Sequence, residues 1–334
     1  GSPEKAVKCQ KSYRHSTINK ELQKSNPPQA GRHQRKDDVI MLLTVKNQGY
    51  TATIETLGAE LKSYKNEAGK EFVWDSNPDF WPRSSPLLFP SIGNLRNGKT
   101  IINGKEYEMP KHGFVRDIDM EYETMAENKI TFSCCYNDET LKCYPFRFRF
   151  QQTYELDGPT LHISYVISND DDKDMYYHLG AHPGFMCPLE EGENFSDYVL
   201  EFPFEETCDS PVYDLEHMQF NPNNTRRYLD HSNTVKLDYS LFDIDAIVFP
   251  HLQSKSVKLV NPATGKGIQM DYPDFATIAF WTPSDVQAPF LCMEPWNGAA
   301  IFADEDNEFI HKRDIQTLKA GESKTYQLAI RLLV

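Results

Sequence analysis

From Met41 onward, apolar and polar positions alternate with a period of two. Phe146, Phe148 and Phe150 alternate with Arg147 and Arg149. Leu161, Ile163, Tyr165 and Ile167 alternate with His162, Ser164 and Ser168, and Tyr326, Leu328, Ile330 and Leu332 repeat the pattern near the end. A strand turns successive side chains to opposite faces, so each run offers one face to a core and one to the outside. Asn97-Gly98 and Asn103-Gly104 lie between short strand-like runs. A two-residue type I′ turn wants such pairs because both of its residues take positive φ. Residues 261–267, NPATGKG, separate the apolar runs 257–260 and 268–270 and predict another hairpin. No amphipathic run of ten or more residues predicts a long helix, and no 20–50-residue repeat is visible. The pattern predicts a mostly β chain, an antiparallel β-sandwich with few short helices.

Residues 1–40 lack this periodicity and begin Gly-Ser. They read as a leader left by a cleaved tag or as a disordered arm, with residues 41–334 forming a single domain. A functional basic arm is the alternative, because the segment holds nine Lys/Arg against four Asp/Glu.

Composition narrows the class of partner. The 334 residues include 17 Tyr and 20 Phe, a bias that suits strands and sugar-stacking surfaces. The formal net charge of −14 repels nucleic acid and anionic membranes alike. No run approaches the ~18 apolar residues of a membrane span, and no signal-peptide core precedes Met41. Seven cysteines form no CxxC pair or regular framework, which points to a reducing compartment and a cytoplasmic location. The sequons at Asn194 and Asn223 are then idle.

Three segments carry candidate chemistry. His112 lies in KHGFVRD, residues 111–117, where the following glycine allows a sharp turn. His182 lies in YYHLGAHPGF, residues 176–185, and precedes a proline that holds it extended. His178 and His182 do not read as a metal pair, since Gly180 and strand-like flanks break helical geometry and no third ligand follows. Glu294 lies in LCMEPWNG, residues 291–298, an otherwise apolar run that raises a carboxyl pKa and suits a general base. A carboxylate and an imidazole together form a natural acid–base pair near neutral pH.

The order and wording of these segments resemble the aldose 1-epimerase, or galactose mutarotase-like, family, and most closely its LacX-like branch. The resemblance is carried by WPRSSPLLFPSIGNLRNGK (81–99), MPKHGFVRD (109–117), YPFRFRFQQTYEL (144–156), LHISYVISN (161–169), HPGF (182–185), LFDIDAIVF (241–249) and EPWNG (294–298). It implies a β-supersandwich with a His/His/Glu site and no cofactor or metal. Glu294 would be the base that removes the C1-hydroxyl proton, and His182 the acid that protonates the ring oxygen. His112 would hydrogen-bond the sugar and hold developing charge, while Asp245 would accept bonds from sugar hydroxyls. Arg83, Arg116, Arg96 and Asn94 would contact the sugar or a substituent on it.

Two departures bear on substrate choice. Asn94 follows Gly93 where classical members carry arginine, and Gly184 replaces an aromatic residue in the second histidine motif. A small-molecule sugar is therefore the expected partner, and its identity stays open. A hexose-6-phosphate 1-epimerase would need a cationic pocket built from Arg83, Arg96 and Arg116. A carbohydrate-binding regulator of the same fold would need no matched acid and base. A glycosidase would need a second carboxylate, for which Asp245 is the candidate.

Overall fold

The computed structural model describes residues 40–334, so the expectations for residues 1–39 and Cys9 lie outside the described residues. The chain is mostly β, and among the described residues its one α-helix is the four-residue Thr140–Cys143. No described helix is long and apolar enough to cross a membrane.

Two large antiparallel sheets carry the architecture. The first has nine strands and runs from the long hairpin Gln219–Lys236 and Val199–Asp214 through Ser256–Val260, Gly267–Asp271 and Ser323–Leu333. It continues through Thr160–Asn169, Phe148–Asp157 and Lys129–Cys135 to Glu121–Ala126. The second sheet orders Ile247–Pro250, Thr277–Trp281, Phe290–Asn297, Leu179–Ala181 and Leu87–Leu88. The predicted alternation is realised: Leu161, Ile163, Tyr165 and Ile167 face the core from one strand, as do Tyr326, Leu328, Ile330 and Leu332 from its neighbour. Residues 261–267 close the expected hairpin, with Val260 opposite Gly267.

The two Asn-Gly pairs behave differently. Asn103-Gly104, with φ of 52° and 74°, joins Lys99–Ile102 to Lys105–Glu108 in a tight hairpin. Asn97-Gly98 also takes positive φ but ends a 3₁₀ turn, Arg96–Gly98, ahead of the first of these strands. Its geometry matches the turn expectation, while the hairpin belongs to the second pair alone. The long hairpin Val199–Asp214 and Gln219–Lys236 was not legible, because bulges between Glu201 and Glu206 and beyond break its period-two pattern.

The strand Phe290–Asn297 positions the site. Every residue in it is buried, yet its two faces go to different places. Leu291 and Met293 join the main core between the sheets. Phe290 and Cys292 pack with Trp74, Trp81 and Trp281, and Trp296 packs with Leu88, Ile92 and Ala279. Glu294 lies on this second face, between Cys292 and Trp296, which explains how a carboxylate comes to sit in a continuous apolar run.

Candidate active site

The partner strand of Phe290–Asn297 is interrupted beside Glu294. Leu179 and Gly180 pair with Asn297 and Trp296, and pairing resumes where Gly184 meets Cys292. His182 and Pro183 fill the gap, with Met293 N–H donating to the Pro183 carbonyl at 3.0 Å. The proline thus holds the backbone at the break, and His182 Nε2 comes to 3.2 Å from Glu294 Oε1.

His112 reaches the same place from a left-handed turn, with φ of 66° at His112 and 72° at Gly113. A reciprocal clasp fixes it: His112 N–H donates to the Gly93 carbonyl at 3.0 Å, and Gly93 N–H donates to His112 Nδ1 at 3.0 Å. Because Nδ1 accepts, the proton of the neutral ring is on Nε2, which becomes a hydrogen-bond donor. The rings of His112 and His182 stand edge to face, 5.8 Å apart. Gly113 lies so close to Phe89 that an added Cβ would meet its carbonyl oxygen at 2.1 Å, so glycine is required there.

Two tryptophans not singled out from sequence enclose the pair. Trp81 lies 4.9 Å from the His182 ring and Trp281 lies 5.8 Å from it. Trp81 comes within 3.2 Å of where a Cβ on Gly184 would sit, so its ring occupies the space above that glycine. The presence of Trp81 in the WPRSS segment was the available signal, but only the tertiary fold brings it over His182.

Burial governs the electrostatics. It pushes the Glu294 carboxyl well above the usual range, and the nearby Asp245 charge adds to the shift. Burial lowers His182 to about 3, and it lowers His112 well below an ordinary imidazole, with His182 and Lys111 contributing. Burial thus favours the neutral form of each partner, Glu294 as the acid and His182 as the base. Asp245 is also raised by burial, opposed by Lys111. Its left-handed backbone, φ 83°, turns it toward this group, whereas Asp243 pairs outward with Arg226 at 2.9 Å. Lys111 acts electrostatically on all four groups and is the other residue that sequence reasoning missed.

The arginines are largely committed elsewhere. Arg83 pairs with the buried Glu60 at 3.3 Å and with Asp117, and it donates to the Arg116 carbonyl. Arg116 donates to the Lys111 carbonyl at 2.9 Å, a contact that braces the loop bearing His112. Arg96 gives its donors to Asn307, Gln219 and the carbonyls of Phe302 and Glu305, anchoring the loop beyond Glu294. Asn94 donates to the Tyr213 hydroxyl at 3.3 Å. Tyr213 is raised by burial and feels the Asp245 charge, so the tip of the long hairpin forms one wall near the site. His178 is turned away, with Nε2 on the Arg313 carbonyl at 3.1 Å. A surface hollow lined by Pro188, Phe195, Asp238 and Tyr239 contains none of these groups.

Fold and site together define a carbohydrate isomerase: the chain belongs to the aldose 1-epimerase family, whose model matches residues 41–330. It is 36% identical over 298 residues to the plasmid-borne protein LacX of Lactococcus lactis subsp. lactis, a match covering 87% of this chain and 99% of that protein. Among solved structures it is similar to a galactose mutarotase related enzyme from Lactobacillus acidophilus, with a TM-score of 0.83 and 30% identity over 87% of this chain and 97% of that one. A galactose mutarotase-like protein from Lactobacillus casei gives a TM-score of 0.78 and 31% identity, covering 87% and 99%.

Proposed function

We propose that the protein interconverts the α and β anomers of a free aldohexose or related sugar by opening and reclosing its ring. The observation that carries this reading is the buried contact of 3.2 Å between His182 Nε2 and Glu294 Oε1. Anomer exchange needs one group to take the C1-hydroxyl proton and another to protonate the ring oxygen. The neutral pair, Glu294 acid and His182 base, differs from the working ion pair only by a proton moved across that contact. Sugar hydroxyls that hydrogen-bond the carboxylate favour the ionised form once the sugar lies against the pair.

Glu294 then removes the proton from O1 as the C1–O5 bond breaks, and the electron pair of that bond goes to O5, which takes the proton of His182. The C1–C2 bond of the open aldehyde rotates. O5 attacks the other face of C1, His182 recovers the O5 proton, and Glu294 returns the other to O1. His112, neutral with Nε2–H available, donates a hydrogen bond to the sugar and holds the charge that develops on oxygen. Trp81 and Trp281 supply apolar ring faces for the sugar.

A neutral sugar is favoured over a phosphate ester. Glu60 and Asp117 already answer the charge of Arg83, and Arg96 has spent its donors on the Glu305 loop. Lys111 and Arg116 are the cations left near the two histidines, and Arg116 is already tied to the Lys111 carbonyl and lies 3.8 Å from Asp117, less than a dianionic phosphate needs.

The test follows freshly dissolved α-D-glucose, α-D-galactose and glucose 6-phosphate by NMR, with and without protein. Faster equilibration of a free sugar is expected, and Glu294→Gln should slow it by about 100-fold or more while binding persists. Unchanged turnover in the variant would remove Glu294 from the reaction. Acceleration of the phosphate ester alone would transfer the assignment to the phosphosugar reaction, and binding without acceleration would favour a carbohydrate-binding regulator.

A further inference from the structure

Cys292 has no part in this chemistry, yet it lies beside the pair that performs it. It lies two residues before Glu294 on one strand, so both side chains leave the same face. His182 approaches from the interrupted neighbouring strand, and ligand atoms of His182, Cys292 and Glu294 all lie within 4.8 Å of one another. All three residues are buried.

We propose that His182, Cys292 and Glu294 form an inhibitory binding site for a borderline-soft divalent cation, Zn²⁺ in particular. One imidazole nitrogen, one thiolate and one carboxylate match the three-ligand sets that zinc accepts while keeping a fourth position open. Hard cations such as Mg²⁺ and Ca²⁺ prefer cages of oxygen and would gain little here. The 3.2 Å separation of His182 Nε2 and Glu294 Oε1 is close to the tetrahedral edge of about 3.3 Å expected for zinc bonded to N and O at ~2 Å.

Binding displaces the protons of the Cys292 thiol and the Glu294 carboxyl and uses the electron pair of His182. Acid and base are then both occupied, so the ion arrests anomer exchange without altering the fold. The site lacks the outer support of a resident metal centre. A metal-bound histidine normally donates its second ring nitrogen to a partner, and His182 Nδ1 is buried with none. The ion is therefore held reversibly, as an inhibitor that the reaction itself does not require.

The arrest of turnover rests on the proposed epimerase activity, whereas metal binding does not, so two readouts separate them. Titrating the full chain with Co²⁺ should saturate this site and give a thiolate-to-cobalt charge-transfer band that zinc abolishes. Cys292→Ala, or Cys292→Ser should the first variant unfold, should lose the band. In the anomer assay Zn²⁺ should inhibit the parent protein and a chelator restore it. Cys292→Ala should keep its basal rate and need about tenfold or more Zn²⁺ for half-inhibition. No cobalt band, or a band that persists without Cys292, overturns the site. A band that needs Cys292 in a protein that turns over no sugar supports the site and refutes the activity.

Discussion

His112 and Asp245 both hold left-handed backbone, φ 66° and 83°, a conformation that costs non-glycine residues about 1–3 kcal/mol. Ten other non-glycine residues among those described share this conformation, and at these two it turns a polar side chain toward the Glu294–His182 pair. The titration of the site follows from burial just as directly. Glu294 keeps its proton well beyond the usual carboxylate range, and His182 accepts one only near pH 3. Burial therefore favours one proton on the pair rather than two or none. The rate should be flat around neutral pH, fall at acid pH as His182 takes a second proton, and fall at alkaline pH as Glu294 loses its own. A pH–rate profile measured between pH 4 and 9 tests this, and an inflection near the ordinary imidazole value of ~6.5 would contradict it.

At the scale of elements, the His112 turn depends on a close approach that only glycine permits. Gly113 abuts the Phe89 carbonyl, whereas Gly69 has equally left-handed φ, 79°, with nothing within 4 Å of the point where a side-chain methyl would sit. Gly69→Ala should therefore cost only the backbone penalty, about 1–2 kcal/mol. Gly113→Ala should cost more in chemical denaturation, because the chain must also move off Phe89. It should reduce kcat as well, since the turn carries His112. Equal losses in the two variants would show that the overlap at Gly113 relaxes freely.

Two expectations belong to the whole molecule. His112, His178 and His182 are all held neutral by burial, so each binds its proton more weakly in the folded chain than in the unfolded one. Below ~6.5 the unfolded state takes up more protons, and stability declines as pH falls toward the folded values. Glu294, raised by burial, and the exposed His217 and His311, raised by Asp214 and Asp306, act in the opposite sense, most strongly near pH 6.5. The melting temperature should therefore fall as pH approaches 5; a level melting temperature there would show that the three imidazoles do not outweigh these groups. Removal of residues 1–40 should leave the melting temperature and turnover unchanged, in keeping with a family match that begins at Met41. A truncated protein that folds but does not turn over would place part of the function in that segment.

Much of the architecture was legible because a half-buried strand writes its two faces into the sequence: runs such as Leu161 to Ile167 and Tyr326 to Leu332 alternate as the sheet requires. The tight turn at Asn103-Gly104 is equally local, since the residues themselves permit positive φ. Glu294, His182 and His112 stood out by type and wording, each within a short segment. Their association did not, because it depends on a strand interrupted at His182-Pro183 and on a clasp between Gly93 and His112, 19 residues apart. The tertiary fold alone also decided that Arg96 braces a distant loop, that Asp245 rather than Asp243 faces the cleft, and that Trp81, Trp281, Lys111 and Cys292 surround the pair. Periodicity records whether a residue is buried, but it carries no record of which distant residue is buried against it, and the chemistry of this site is made of such pairings.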